Sequence, residues 1–234
     1  MRMLVVGKPG QGKSTYVKRF LADWQRRGLR IIALDVCDEY SVEGNKAALV
    51  QLGGLRKRVT VAELAKAPHL VFERRLSLAV VSGEEPRDAA RGFLLIAQLV
   101  RAAGKPVLVV ADEVGLWTDR AADPACHRAE AMLKAMSIGG RKHGVPMVLV
   151  AQRAVQVDKT VRSTCTEIHA FYQDEQDDLD ALAHRAKSPA FGVEVSQLKE
   201  FHCAVWRDTN RGGQVPAATP ADTGGPAVRK ESNP

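Results

Sequence analysis

A glycine-rich segment close to the start of the chain, residues 7–14, restricts the fold more than any other feature. Its sequence, GKPGQGKS, matches the phosphate-binding pattern G-x-x-x-x-G-K-[ST]. An apolar run at 3–6 before it predicts a buried strand, and apolar residues at helical spacing follow it up to Gly28. A strand, a glycine loop and a helix in this order surround phosphate oxygens with backbone N–H groups and a helix N-terminus. We therefore predict a nucleotide-binding P-loop.

The nucleotide, expected to be ATP with Mg²⁺, would contact the whole loop and the first turn of the helix after it. Lys13 would reach the β- and γ-phosphates, and the Ser14 hydroxyl would bind Mg²⁺. The predicted nucleotide-binding residues are Gly7, Lys8, Pro9, Gly10, Gln11, Gly12, Lys13, Ser14 and Thr15.

Short apolar, β-branched runs alternate with helical patterns along the rest of the chain. The clearest runs lie at residues 30–36, 76–81, 107–111 and 147–151. They are continuous in hydrophobicity, which is typical of strands buried on both faces. Two more strands are predicted at 168–172 and 201–206, and a short helix at 62–67. The alternation predicts an α/β fold with a mostly parallel sheet flanked by helices.

A change of composition divides the chain near residue 209. From 209 to 234, Gly, Pro, Ala and Thr dominate without any apolar period. Such a segment cannot bury enough apolar surface to offset the entropy of ordering. We predict one domain over residues 1–208 and a flexible C-terminal tail over 209–234.

Charge and cysteine content narrow the setting of the protein. The net charge is +7 and the isoelectric point about 9.4, which permits a polyanionic partner without requiring one. No apolar stretch approaches the ~20 residues of a membrane span, and the P-loop strand leaves no room for a signal peptide. The four cysteines and six histidines have no metal-binding spacing. These features predict a cytoplasmic protein with reduced thiols.

Acidic and amide side chains follow two of the predicted strands. Asp112 and Glu113 come directly after the run at 107–111, and Gln152 follows the run at 147–151. Asp112 would hold Mg²⁺, whereas Glu113 would orient and polarise an attacking water. Gln152 would lie beside the γ-phosphate, because the carboxyl ends of parallel strands converge on the ligand. The alternative for Gln152 is an exposed polar residue at a strand end.

The segment 140–153, GRKHGVPMVLVAQR, resembles the FtsK–HerA superfamily of DNA-pumping ATPases. Those proteins carry a G-R-x-x-G-[IV] element, an apolar strand and a terminal Gln-Arg pair. Residues 157–163, the acidic residues at 174–180 and the strand 30–36 with its following Asp-Glu-Tyr are also similar to family elements. The resemblance covers residues 3–208. The acidic residues themselves are most simply the start of a helix.

The resemblance implies a RecA-like P-loop NTPase core, Mg-ATP, a homo-oligomeric ring that is usually a hexamer, and movement of double-stranded DNA through its pore. It also implies an arginine finger that reaches the nucleotide of the neighbouring subunit. Arg141 matches the family's arginine before the strand and is the first candidate for this role. Arg153 and Arg162 are further candidates, for which a surface charge is the simpler interpretation.

Contact with DNA would come from basic residues on the loops that follow the catalytic strands. The candidates are Arg120, Lys159 and Arg162, which would grip phosphates without reading sequence. Trp117 would be able to stack on a base, but a core position is favoured because a tryptophan buries so much area.

The absence of a membrane anchor, a barrel domain or a winged-helix domain makes the chain similar to the genome-packaging ATPases of tailless, membrane-containing viruses and phages. That resemblance implies an ATP-hydrolysing motor in the host cytoplasm or the virion, docked to a capsid or membrane-vertex protein. Two alternatives remain at this stage. One is a P-loop phosphotransferase acting on a small acceptor, and the other is a nucleotide-dependent assembly factor that does not translocate.

Overall fold

The structure is a computed structural model, and it describes residues 1–41, 55, 57–72, 77–103, 107–143 and 145–208. The strands are β1 (Arg2–Val6), β2 (Arg30–Asp35), β3 (Lys57–Thr60), β4 (Leu78–Val81), β5 (Val107–Ala111), β6 (Met147–Ala151), β7 (Glu167–Phe171) and β8 (Cys203–Arg207). The helices are α1 (Lys13–Arg26), α2 (Val61–Lys66), α3 (Pro86–Ala103), α4 (Val114–Trp117), α5 (Pro124–His143), α6 (Lys159–Thr164), α7 (Gln176–Ala186) and α8 (Pro189–Ser196). Short 3₁₀ turns lie at Pro68–Phe72 and Ala154–Gln156.

The described strands form one sheet in the order β3-β4-β2-β5-β6-β1-β7-β8. Seven strands are parallel, and β8 alone runs antiparallel, beside β7. The predicted mostly parallel α/β sheet is therefore confirmed. β1 lies between β6 and β7, so its carboxyl end at Val6 is level with Ala151 on one side and Ala170 on the other.

Successive residues of the strands face two separate apolar layers. Met3 and Val5 of β1 pack in the layer that contains α1, whereas Leu4 and Val6 pack in the layer that contains α3 and α5. All four are at most 2% exposed, which explains why the strand has no polar alternation. Each such side chain contributes about 1.5–3 kcal/mol by its burial, so the two layers hold the strand ends rigidly in place.

The structure departs from the predicted elements in detail. The helix expected at 62–67 is α2, which begins one residue earlier because Thr60 caps it and Glu63 closes a capping box. β3 was not predicted, since only Val59 of its four residues is buried and its charged neighbours hide the pattern. The predicted tail at 209–234 lies outside the described residues. Among the described helices, none has the length and hydrophobicity to cross a membrane.

Candidate nucleotide-binding site

The loop between β1 and α1 depends on two glycines for its shape. A Cβ atom on Gly7 would lie 2.5 Å from the Cβ of Phe171, so no larger residue fits between the loop and β7. Gly12 is the N-cap of α1 with φ of 87°, a left-handed conformation that favours glycine. The Lys8 backbone N–H also donates to Tyr172 O at 3.4 Å. The loop is thus held tightly against the end of β7 while its N–H groups remain at the mouth of α1.

Lys13 lies in the centre of this loop. Its Nζ donates to Gly7 O at 2.7 Å and to Lys8 O at 3.0 Å, and the residue is only 7% exposed. Burial lowers the pKa of the Lys13 ammonium, and the nearby carboxylates of Glu113 and Asp112 only partly oppose that effect. A buried cation with incomplete charge compensation favours an anion in the loop. The predicted phosphate cradle therefore fits the geometry.

Buried carboxyl groups gather at the ends of β2 and β5. Asp112 is 4% exposed, and Tyr40 Oη donates to its Oδ1 at 3.4 Å. Burial first, and then the charges of Glu113, Asp35 and Glu39, raises the pKa of Asp112 well above its ordinary value. Burial likewise raises the pKa of Asp35 to about 6, although Asp35 accepts the backbone N–H groups of Glu39 and Tyr40. These acids are poorly compensated and favour a cation among them.

This acidic edge fits a magnesium ion that is completed by phosphate. Within the described residues, no group of three or more His, Cys, Asp or Glu side chains could enclose a metal ion alone. Mg²⁺ usually takes only one or two protein ligands and completes its shell with water and substrate phosphates. Ser14, half-buried in the first turn of α1, and Asp112 supply the oxygen atoms that such a site needs.

Glu113 is the N-cap of α4 and has φ of 45° and ψ of 49°. A glutamate in this left-handed region is strained, so its surroundings must hold it there. Trp117 Nε1 donates to Asp112 O at 2.7 Å, and the Trp117 ring stacks on Phe93 with centroids 4.4 Å apart. Trp117 is fully buried, which confirms the core position that the sequence favoured. Its role is to lock the backbone on both sides of Glu113.

Gln152 contacts Glu113 at the edge of the sheet. Gln152 Nε2 donates to Glu113 Oε1 at 3.3 Å. Behind it, Gln173 Nε2 donates to Gln152 O at 2.8 Å, and Gln173 is fully buried with no partner for its Oε1 in the described part of the chain. Gln173 was not predicted. Its signal was its place two residues after β7, at the same edge of the sheet.

The three arginines proposed as arginine fingers differ in what the structure shows of their side-chain contacts. Arg153 Nε donates to Oδ2 of the fully buried Asp178 at 2.8 Å, and Val155 N donates to the other carboxylate oxygen. Arg162 Nη1 donates to Ala154 O at 2.7 Å. Both guanidinium groups are thus bound within their own chain. Arg141 lies in the last turn of α5, and its side chain falls outside the described part of the structure, so its role stays a prediction.

The three candidates for DNA contact do not lie together. Arg120 forms an ion pair with Glu130, whose carboxylate is also 3.0 Å from Lys134 Nζ. Lys159 and Arg162 line a groove between α6, α7 and β8 that Arg120 does not line. The acidic residues predicted to begin a helix do so, because Asp177 and Asp178 occupy the first turn of α7.

No family model and no curated protein matches the chain. Solved structures do match. The genome-packaging NTPase B204 of Sulfolobus turreted icosahedral virus 2, in complex with ATP-gammaS, is 16% identical with a TM-score of 0.63, over 90% of this chain and 93% of that one. VirB4 of Thermoanaerobacter pseudethanolicus is 14% identical with a TM-score of 0.65, over 89% and 87%.

The bacterial conjugative coupling protein TrwBdeltaN70 is 13% identical with a TM-score of 0.57, over 90% of this chain and 82% of that one. At such identities the likeness concerns the fold, and it confirms the resemblance noted in the sequence at that level. The chain has the RecA-like P-loop fold.

Proposed function

We propose that the chain is an ATP-hydrolysing motor that moves DNA. The observation that carries the proposal is the contact between Gln152 and Glu113, at 3.3 Å, next to a P-loop with a buried lysine. A carboxylate held in a strained backbone beside the phosphate loop suits activation of a water molecule. A phosphotransferase that uses the hydroxyl of a small acceptor does not need such a carboxylate.

The residues of the loop bind and orient the triphosphate. Backbone N–H groups of residues 10–15, other than that of Gln11, and the Lys13 ammonium would hold the phosphate oxygens, and Ser14 and Asp112 would hold Mg²⁺. The ion, when bound, neutralises charge on the phosphates. Glu113 accepts a proton from the attacking water, and Gln152 keeps that carboxylate in place. The Gln152 amide would contact the terminal phosphate as well as Glu113. Loss of that phosphate would then be transmitted to the Glu113 carboxylate, because the two side chains are hydrogen-bonded.

A route for this report runs through the next residue. Arg153 directly follows Gln152 and is bound to Asp178 in the first turn of α7. A displacement of Gln152 would therefore pass to α7 through one peptide group and one ion pair, in which the carboxylate is buried and the arginine is partly exposed. α7 lines the groove that also contains Lys159 and Arg162, two of the basic residues proposed to contact DNA phosphates.

Three facts support DNA as the substrate moved. The chain carries a net charge of +7, which favours a polyanionic partner. A genome-packaging NTPase and a conjugative coupling protein share its fold. The Gly-Arg element before β6 and the Gln-Arg pair after it match those of DNA-pumping ATPases. On this basis the finer proposal is a viral or phage packaging motor for double-stranded DNA.

The proposed assembly is a ring in which residues 1–208 form the motor. Arg141 would act as the finger on the neighbouring subunit's nucleotide, and Arg120 would be a further DNA contact. A capsid or membrane-vertex protein would be the docking partner, in the host cytoplasm or the virion. Arg141→Ala subunits mixed with wild type should then lower ATP turnover beyond simple dilution, because each variant subunit disables its neighbour's site.

The direct test is the rate of ATP hydrolysis with and without long duplex DNA. We expect Lys13→Ala to lose ATP binding, and Glu113→Gln to bind ATP but to turn it over ~100-fold more slowly or worse. Glu194→Gln, an exposed glutamate on α8, is the matched control and should behave as wild type. A rate of ATP hydrolysis that does not change when duplex DNA is added, together with the absence of a ring at high protein concentration, would contradict the proposed DNA motor. ATP consumption only with an added acceptor would identify a phosphotransferase instead.

A further inference from the structure

Phe201 occupies a turn position at which a phenylalanine is unfavourable. The His202 backbone N–H donates to Lys199 O at 3.1 Å, closing a four-residue turn just before β8. Phe201 is the third residue of that turn and has φ of 62°. A positive φ at this position normally selects glycine or asparagine, and a bulky residue there is strained. The strain needs a compensating benefit.

Burial does not provide that benefit. Phe201 is 66% exposed, more than any other large apolar side chain in the described residues. By contrast, the aromatic rings of Trp117 and Tyr40 in the same site are fully buried. A strained backbone therefore presents an aromatic ring to solvent, which points to a ligand for the ring.

The ring of Phe201 lies against the phosphate loop. A Cβ atom built on Gly12 would be 3.1 Å from Phe201 Cδ1 and 3.9 Å from Cε1, so the ring edge touches the N-cap of α1. The topology explains this contact. β8 is antiparallel, so its first residue Cys203 pairs with Phe171 at the last position of β7, and the turn before β8 reaches the carboxyl edge of the sheet.

We propose that Phe201 is a platform on which the base of the bound nucleotide stacks. This inference rests on the nucleotide site of the proposed function. The phosphates occupy the cradle at residues 7–15, so the nucleoside end must leave it over the rim. The rim at Gly12 carries the Phe201 ring, and Thr15 beside it is exposed. Stacking on an aromatic face suits a base, since every base has a π-face.

The test separates the base from the phosphates. Equilibrium binding of ATP-gammaS is compared with that of inorganic tripolyphosphate, which has the phosphates but no base or ribose. Phe201→Gly should weaken ATP-gammaS about tenfold. It should leave tripolyphosphate unchanged, and its melting temperature should stay level or rise, because glycine suits the turn. Phe201→Trp should retain ATP-gammaS binding. Phe72→Gly, at a half-exposed phenylalanine in the Pro68–Phe72 turn, is the matched control and should change neither affinity.

Each other result overturns the platform. If Phe201→Gly weakened the binding of ATP-gammaS and of tripolyphosphate equally, the ring would only support the loop. No change in either ligand, with altered sedimentation of the ligand-free protein, would assign the ring to a contact between subunits. If wild type bound neither ligand, the nucleotide site of the proposed function would fail together with the platform. If wild type binds both and only the Phe201 response is missing, the proposed function stands and the platform alone is wrong.

Discussion

The loops after β1 and β5 enter their helices in the same way but with different residues. The N-cap of α1 is Gly12 with φ of 87°, and the N-cap of α4 is Glu113 with φ of 45°. In the proposed site the backbone N–H of Gly12 is the functional group, so a residue without a side chain is sufficient and unstrained. The carboxylate of Glu113 is the proposed functional group of the second loop, which explains why the chain retains a strained conformation there.

Replacing the strained residue by glycine tests this comparison most severely. Glu113→Gly should reduce ATP hydrolysis ~10³-fold, while it raises the free energy of unfolding by about 1 kcal/mol through relief of strain. Turnover and denaturant unfolding measure the two effects. Lys187→Gly, at the exposed left-handed C-cap of α7, is the control: it should gain similar stability and keep its hydrolysis rate. A loss of stability in Glu113→Gly would show that the backbone is not strained.

The buried charges near the two loops also differ. The loop after β1 contains a buried cation, Lys13, whereas buried acids, Asp35 and Asp112, lie at the ends of β2 and β5. The pKa of Asp35 is raised to about 6 in the folded protein, so the folded state binds a proton more tightly than the unfolded chain. The stability that this proton supplies is fully present below about pH 4 and is lost as the pH rises through about 6.

Asp35→Asn should therefore gain stability relative to wild type by about 3 kcal/mol between pH 4 and 7. Urea unfolding at several pH values measures the gain. Gln98→Asn, at an exposed glutamine on α3, removes no ionisable group and should keep a constant difference from wild type over the same range. If the free energies of unfolding of Asp35→Asn and wild type changed in the same way with pH, burial would not raise the pKa of Asp35.

The glycines of the first loop are not equivalent, which sharpens the comparison further. Gly7→Ala places a Cβ 2.5 Å from Phe171 Cβ and should lower the free energy of unfolding by about 2 kcal/mol. Gly10 has nothing within 4 Å, so Gly10→Ala should lower it by about 1 kcal/mol through its φ of 78° alone. Chemical denaturation of both variants checks the order. Equal losses would mean that contact with β7 does not select the first glycine.

The smallest effect concerns the hydrogen bond that holds the second loop. Trp117→Phe keeps the stack on Phe93 but removes the Nε1–H donor to Asp112 O. Stability should fall by about 1 kcal/mol, and turnover should fall several-fold because Glu113 is less well positioned. Trp24→Phe, at a partly buried tryptophan on α1, should leave turnover unchanged. Unaltered hydrolysis in Trp117→Phe would assign Trp117 to packing alone.

Local patterns predicted the parts of the site that are adjacent in sequence. The P-loop and the Asp112–Glu113 pair are short segments whose neighbouring strands fix their place at the sheet edge. The rule that parallel strands end together placed Gln152 at the same edge of the sheet as these residues, although its hydrogen bond with Glu113 was not predicted. Even the core role of Trp117 followed from its size.

Contacts between distant segments could not be read in advance. Arg153 and Asp178 are 25 positions apart, and nothing in either segment indicates that one is the partner of the other. Gln173 and Phe201 reach the site only because β7 lies next to β1 and β8 lies next to β7. These features depend on strand order, which hydrophobic periodicity does not encode.

The place of β1 in the middle of the sheet has a consequence for the order of events during synthesis. β1 is synthesised before every other described strand, yet its two neighbours are β6 and β7, whose residues Met147 and Glu167 pair with Arg2 and Met3. The first strand must wait for more than half of the chain before it can pair, and such distant pairing is slow. A nascent chain therefore contains the predicted P-loop long before β6 and β7 can fix the place of that loop at the edge of the sheet.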